Sequence, residues 1–273
     1  MSDATRPSVR WWGTLLYPCA LVALFLGGQV LLGWLGVAAD QQASLAALPA
    51  VGALLISLPL RLRRAWAEPH PWTRLGVQGP WAAVGKALVR GLLKALLLLF
   101  VVAAGLMMAG QLRWQPQLSL GLLLNSVALG LGVGFAEELL FRGWLLGELS
   151  LLVGRQRGLW LQAGLFSLVH TRFNLPPLLL GGLLGGLLLL GLALGLQRRA
   201  DGGLLWGAIG LHGGLVGGWF VLHQGLVTLN PAAPAWLMGP DNPIGGALGW
   251  LGLIVLLLAR RPWWNGSGQG AQP

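Results

Sequence analysis

Residues 118–143 read LSLGLLLNSVALGLGVGFAEELLFRG, and the fold turns on this stretch. The part from 118 to 140 is apolar and long enough to cross a bilayer as a helix, yet Glu137 and Glu138 lie inside it. Arg142 follows four residues after Glu138, one helical turn away, so those two pair on one face. Glu137 is rotated about 100° from Glu138 and needs another partner. A plain alternative is a helix-end ion pair reaching for the membrane surface. Against it, two carboxylates facing one guanidinium leave a net negative charge. In a low-dielectric site that charge must be protonated, metal-bound or paired with an imidazolium.

The rest of the chain supports a lipid setting. Apolar residues make up 55% of the 273 residues and charged residues only 10%, with a mean hydropathy of +0.71. A soluble protein of this length carries about a quarter charged residues. Besides 118–140, apolar stretches run over about 14–37, 43–60, 87–109, 158–175, 178–196, 203–222 and 244–259. The expectation is an all-α polytopic membrane protein of about eight crossings. A single cysteine, Cys19, excludes a disulfide framework, and the first stretch reads as a retained helix and not a cleaved signal peptide.

The net charge of +10 would point to nucleic acid in a soluble protein. Here its distribution reports topology instead, and no nucleic-acid partner is expected. Basic residues alternate between loops: Arg6 and Arg10 precede the first helix, and six more, from Arg61 to Arg90, join the second and third. Arg155 with Arg157, Arg198 with Arg199, and Arg260 with Arg261 mark the later loops on the same side. The opposite side has only Arg113 and Arg172. The positive-inside rule then places both termini in the cytoplasm. The segment 64–84, with Trp66, Trp72 and Trp81, is expected along the membrane surface, and Trp11, Trp12, Trp263 and Trp264 as interfacial anchors. Gly181, Gly182, Gly185 and Gly186 give overlapping GxxxG spacings that admit a close helix. The expected divisions are a cytoplasmic N-terminus (1–13), N-terminal helices (14–117), a core (118–222), and an outer loop, last helix and disordered tail (223–273).

Three of the four histidines, His170, His212 and His223, fall in or at the end of apolar stretches. Counted from the expected cytoplasmic helix ends near Gly147, Gly158 and Gly203, Glu137, His170 and His212 all lie roughly 13–18 Å deep at 1.5 Å per residue, near the middle of a core about 30 Å thick. Three helices would thus bring a carboxylate and two imidazoles to one level. His223 lies eleven residues beyond His212, about 16 Å further out, and reads as structural. His70 reads as solvated, and Asn125 and Ser126 have no assigned role. A carboxylate and imidazoles around one water make a general-base system, and the same residue types also bind zinc. Spacing does not choose between the two. There is no HExxH and no GxSxG elbow.

Glu137-Glu138-Leu139-Leu140-Phe141-Arg142 matches the EExxxR motif of the CPBP intramembrane proteases, also called Abi or type II CAAX prenyl endopeptidases. Phe166-x-x-x-His170 resembles their second motif, and His212 falls where the third, HxxxN, begins. The resemblance covers roughly 118–222. It implies a glutamate-dependent membrane endopeptidase of the CAAX protease or bacteriocin-processing type, opening to the cytoplasm and acting on membrane-anchored or hydrophobic peptides in the bilayer. By carry-over Glu137 activates water, His170 positions it, and His212 is an oxyanion donor or metal ligand. Glu138 and Arg142 form a supporting ion pair, with Phe166 as the other supporting residue. Whether Zn2+ or another divalent metal is held by Glu137, His170 and His212 stays open. The family's asparagine is Val216 here, a departure that favours the rival reading of a non-catalytic membrane scaffold or regulator. A transporter is a third reading, but no paired halves are seen.

Overall fold

The computed structural model describes residues 8–239 and 242–259. Arg6, Arg260, Arg261, Trp263, Trp264 and the Gly-rich tail lie outside the described residues. The helices are α1 (Trp11–Trp34), α2 (Ala39–Ala65), a short α3 (Pro71–Arg74), α4 (Trp81–Met108), α5 (Leu120–Glu138), α6 (Leu146–Val153), α7 (Arg155–Val169), α8 (Pro177–Ala200), α9 (Trp206–Val221), α10 (Ala235–Met238) and α11 (Ala247–Leu258).

Every apolar stretch expected from the sequence holds a helix, although that over 158–175 ends at Val169, and the chain is an all-α membrane protein. Among the described residues, five helical runs are long and apolar enough to cross a membrane by length and composition: α1, α2, α4, the continuous run 120–153, and α8. By contrast α7, α9 and α11 have 15, 16 and 12 residues, so crossings by these three rest on expectation alone.

The run containing Glu137 differs most from expectation. It was expected to leave the membrane near Gly147, but it continues unbroken to Val153, for 34 residues. Its middle, Leu139–Leu145, is a π-helix. The run carries Glu148 into the protein, where the acid is neutralised. Arg61 of α2 grips both Glu148 oxygens at 2.8 Å, Thr14 of α1 donates to Oε2 at 2.6 Å, and Trp66 Nε1 donates to Oε1 at 3.2 Å. Trp66 is therefore buried in this clamp and is not an interfacial anchor, whereas Trp81 is exposed. Tyr17 packs edge-on against Trp144 beside the clamp, with ring centroids 4.8 Å apart.

The ends of the molecule segregate charge. Arg198 of α8 donates to the carbonyl of Arg74, and Arg199 to that of Arg155, which gathers three basic loops at one end. A short antiparallel ribbon closes the other end: β1 (Leu112–Trp114) pairs with β2 (Val227–Leu229), Leu112 opposite Leu229. This ribbon was not foreseen. His223 lies beside it, exposed and stacked on Trp219 with ring centroids 5.8 Å apart. His70 is also exposed.

Glycines set the helix spacing. A Cβ on Gly134 of α5 would come within 2.9 Å of Gly213 Cα on α9, and one on Gly130 within 2.6 Å of the Gly213 carbonyl. The two backbones are therefore in contact, which only small residues allow. Ser126 joins them by donating to the Gly217 carbonyl at 2.8 Å. In α8, Gly182, Gly185 and Gly186 admit α11 and the turn that precedes it. They receive the turn at Ile244 and Gly245 and the ring of Trp250, whose Nε1 donates to the Gly182 carbonyl at 2.9 Å.

Candidate functional site

The close contact of α5 with α9 brings His212 directly against the acidic pair. Glu138 and Arg142 are fully buried, and Glu138 Oε1 accepts from Arg142 Nη1 at 2.7 Å and from His212 Nδ1 at 2.8 Å. Arg142 is held again from its face: its Cζ lies 4.0 Å from the centre of the Phe166 ring, a cation–π contact strengthened by burial. Phe166 is the hub of the site. It also meets Phe141, His170 and His212, with ring centroids 5.1, 4.8 and 5.8 Å away.

His170 ends α7, where its Nδ1 lies 2.7 Å from the Phe166 carbonyl. That carbonyl can only accept, so Nδ1 carries the proton and Nε2 is left facing inward. Glu137 meets it there. Glu137 Oε2 is 3.6 Å from His170 Nε2 and 3.9 Å from His212 Nε2. Both gaps are too long for a direct hydrogen bond. Oε2 is itself buried without a direct hydrogen-bond partner.

Exposure separates the two glutamates. The side chains of Glu137 and His170 are 29% and 34% exposed, against 0% for Glu138 and 7% for His212. The first pair opens to a ligand and the second is packed away. So the three helices do bring Glu137, His170 and His212 together, with Glu138, Arg142 and Phe166 behind them. Val216 lies one turn beyond His212, half-buried, and offers no donor.

The fit to a metal is poor as arranged. Among the described residues no group of three or more His, Cys, Asp or Glu is placed to hold a metal ion. No step below is routed through one.

Sequence reasoning missed Glu148 and its partners Arg61 and Thr14, because the helix was expected to end one residue earlier. A signal existed: Glu148 is one of only eight acidic residues and lies among apolar neighbours. It also missed a second network, in which Asp201 accepts from Arg90 and from Gln197 Nε2 at 2.7 Å. Gln197 Oε1 in turn accepts from the buried Lys94.

Fold and site together define an integral membrane protein with a carboxylate–imidazole centre buried among its helices. Residues 119–217 match the family model described as Rce1-like, type II CAAX prenyl endopeptidase Rce1-like, the same segment whose motifs resemble the CPBP proteases. No curated protein and no solved structure matches the chain.

Proposed function

We propose that the protein is an intramembrane, glutamate-dependent endopeptidase that hydrolyses peptide bonds of membrane-anchored or hydrophobic substrates. One observation carries this reading: the partly exposed Glu137 side chain turns Oε2 toward two inward-directed imidazole nitrogens, a carboxylate–imidazole set that can activate one water. Glu137 takes a proton from that water as its oxygen attacks the scissile carbonyl. His170, its tautomer set by the Phe166 carbonyl, orients the water through Nε2. A His212 protonated on both nitrogens donates from Nε2 to the developing oxyanion while Glu138 holds Nδ1. Glu137 then passes its proton to the departing amine. The collection of basic loops at one end supports a site opening to the cytoplasm, with both termini on that side.

A second reading has one observation in its favour. Val216 supplies no side-chain hydrogen bond where the family's motif has asparagine, which fits a non-catalytic scaffold that binds other membrane proteins. Participation of Zn2+ at Glu137, His170 and His212 is a separate proposal. Purified wild type and Glu137→Gln are compared on a quenched-fluorescent hydrophobic peptide library, with and without EDTA. Cleavage by wild type alone supports the endopeptidase, and loss of that cleavage in EDTA supports a metal. No cleavage by folded wild-type protein favours the scaffold.

A further inference from the structure

The π-helix that follows the two glutamates leaves a backbone group to be satisfied. Within it an amide reaches back five residues, as Leu146 N–H does to the Phe141 carbonyl. From Leu146 the ordinary register of four resumes, so the next amide falls to Gly143 and the Arg142 carbonyl is passed over. A backbone carbonyl left unpaired inside a protein is costly.

Arg198 of α8 meets that carbonyl. Its Nη1 donates to the Arg142 carbonyl and, at 3.3 Å, to that of Gly143. The remaining nitrogens reach the carbonyls of Arg74 at 3.0 Å and Gly203 at 3.1 Å. One planar guanidinium thus spans the change of register, the surface segment after α2 and the turn before α9. None of these contacts is made to a reacting group.

We propose that Arg198 is a positioning residue for hydrolysis: it caps the carbonyl freed at the change of helical register and so fixes the angle at which Glu137 stands relative to Glu138 and Arg142. This rests on the endopeptidase reading. The register matters because Arg142 is committed at both ends. Its carbonyl is held by Arg198 and its guanidinium by Glu138, which also holds His212. If the wide turn relaxed to an ordinary α-helical one, the residues on its two sides would rotate against each other. Glu137 and the Arg142 anchor lie on opposite sides of the beginning of that turn.

The test uses full-length protein in detergent or lipid, with a peptide substrate found for wild type. Arg198→Gln is expected to lower kcat by about 10- to 100-fold, the scale of a 1 Å misplacement, with KM within about twofold. Arg198→Lys, which still donates to one carbonyl, is expected to recover most of that loss. Arg199→Gln, which removes only the contact to the Arg155 carbonyl, is expected to match wild type. Hydrogen exchange of the amides in 143–149 is expected to rise in Arg198→Gln and not in Arg199→Gln. Unchanged kcat in folded Arg198→Gln overturns the assignment. So does failure of both Arg198 variants to fold while Arg199→Gln folds, since Arg198 would then be purely structural. A folded wild type inert toward every peptide overturns the endopeptidase reading instead, and faster exchange in 143–149 would still identify Arg198 as the cap of the register change.

Discussion

Glu138 and His212 are joined by a 2.8 Å hydrogen bond between Oε1 and Nδ1, made across two helices whose backbones touch. Because that bond uses Nδ1, the Nε2 of His212 is the atom left to face Glu137. The buried glutamate therefore aims a histidine at the open one. Similar residues take opposite roles because only one of them has Arg142 on its face of the helix.

The Glu138–Arg142 pair is fully buried, so breaking it from one side leaves a lone charge. Glu138→Gln or Arg142→Met alone is expected to cost about 3–5 kcal/mol. The double variant is expected to cost less than the sum, because neither charge is then stranded. Unfolding midpoints in mild detergent, measured for the four proteins of this cycle, check it. Strictly additive losses would mean the pair is not coupled.

Helix contact through glycine makes a second expectation. Gly134→Ala would set a Cβ 2.9 Å from Gly213 Cα and 3.0 Å from its nitrogen, and backbone cannot swing aside. The two helices must part, with an expected loss of about 100-fold in kcat/KM. Gly132, two residues away, has nothing within 4 Å of its Cβ position. Gly132→Ala is expected to keep full activity and to gain roughly 0.5–1 kcal/mol of stability. Equal damage from both would remove the contact argument.

Chelation separates two chemistries. Because the described residues form no metal cage, peptidase activity is expected to survive dialysis against EDTA, and added Zn2+ to restore nothing. Activity lost in EDTA and regained with Zn2+ would show that Glu137, His170 and His212 close further than they do here.

The clamp at Glu148 holds α1 and α2 to the core. Arg61→Met leaves Glu148 buried without its cation, and a loss of about 3–5 kcal/mol is expected. Protease cuts in the segment between α2 and α4 are expected to appear at concentrations that leave wild type intact. An unchanged digestion pattern would show that the hairpin is held by other contacts.

Much of this architecture was legible. Each apolar stretch held a helix, and Glu137, His170 and His212 met as expected, although the depth count behind that expectation started from an end near Gly147 that the run passes. What escaped was whatever depended on contact between helices. Gly130 with Gly134, and Gly213 with Gly217, carry the same four-residue spacing noted in α8, yet they bring α5 against α9 backbone to backbone at the site. A one-dimensional pattern shows that a helix admits a neighbour without showing which one. Glu148 was lost because its neutralising arginine lies far away in the chain. The π-helix left no trace either, since its extra residue is held by Arg198 and not by any local preference.

Arg61 precedes Glu148 by 87 positions, and this separation orders the protein's assembly. When α1 and α2 leave the ribosome, Arg61 at the basic end of α2 has no carboxylate to meet. The hairpin cannot be clamped until α6 has been synthesised. Only then can it slide onto the growing bundle and seat Trp66 and Thr14 around the acid. A chain halted before Glu148 would therefore keep Arg61 open to water-soluble reagents, and one extended past it would close that window.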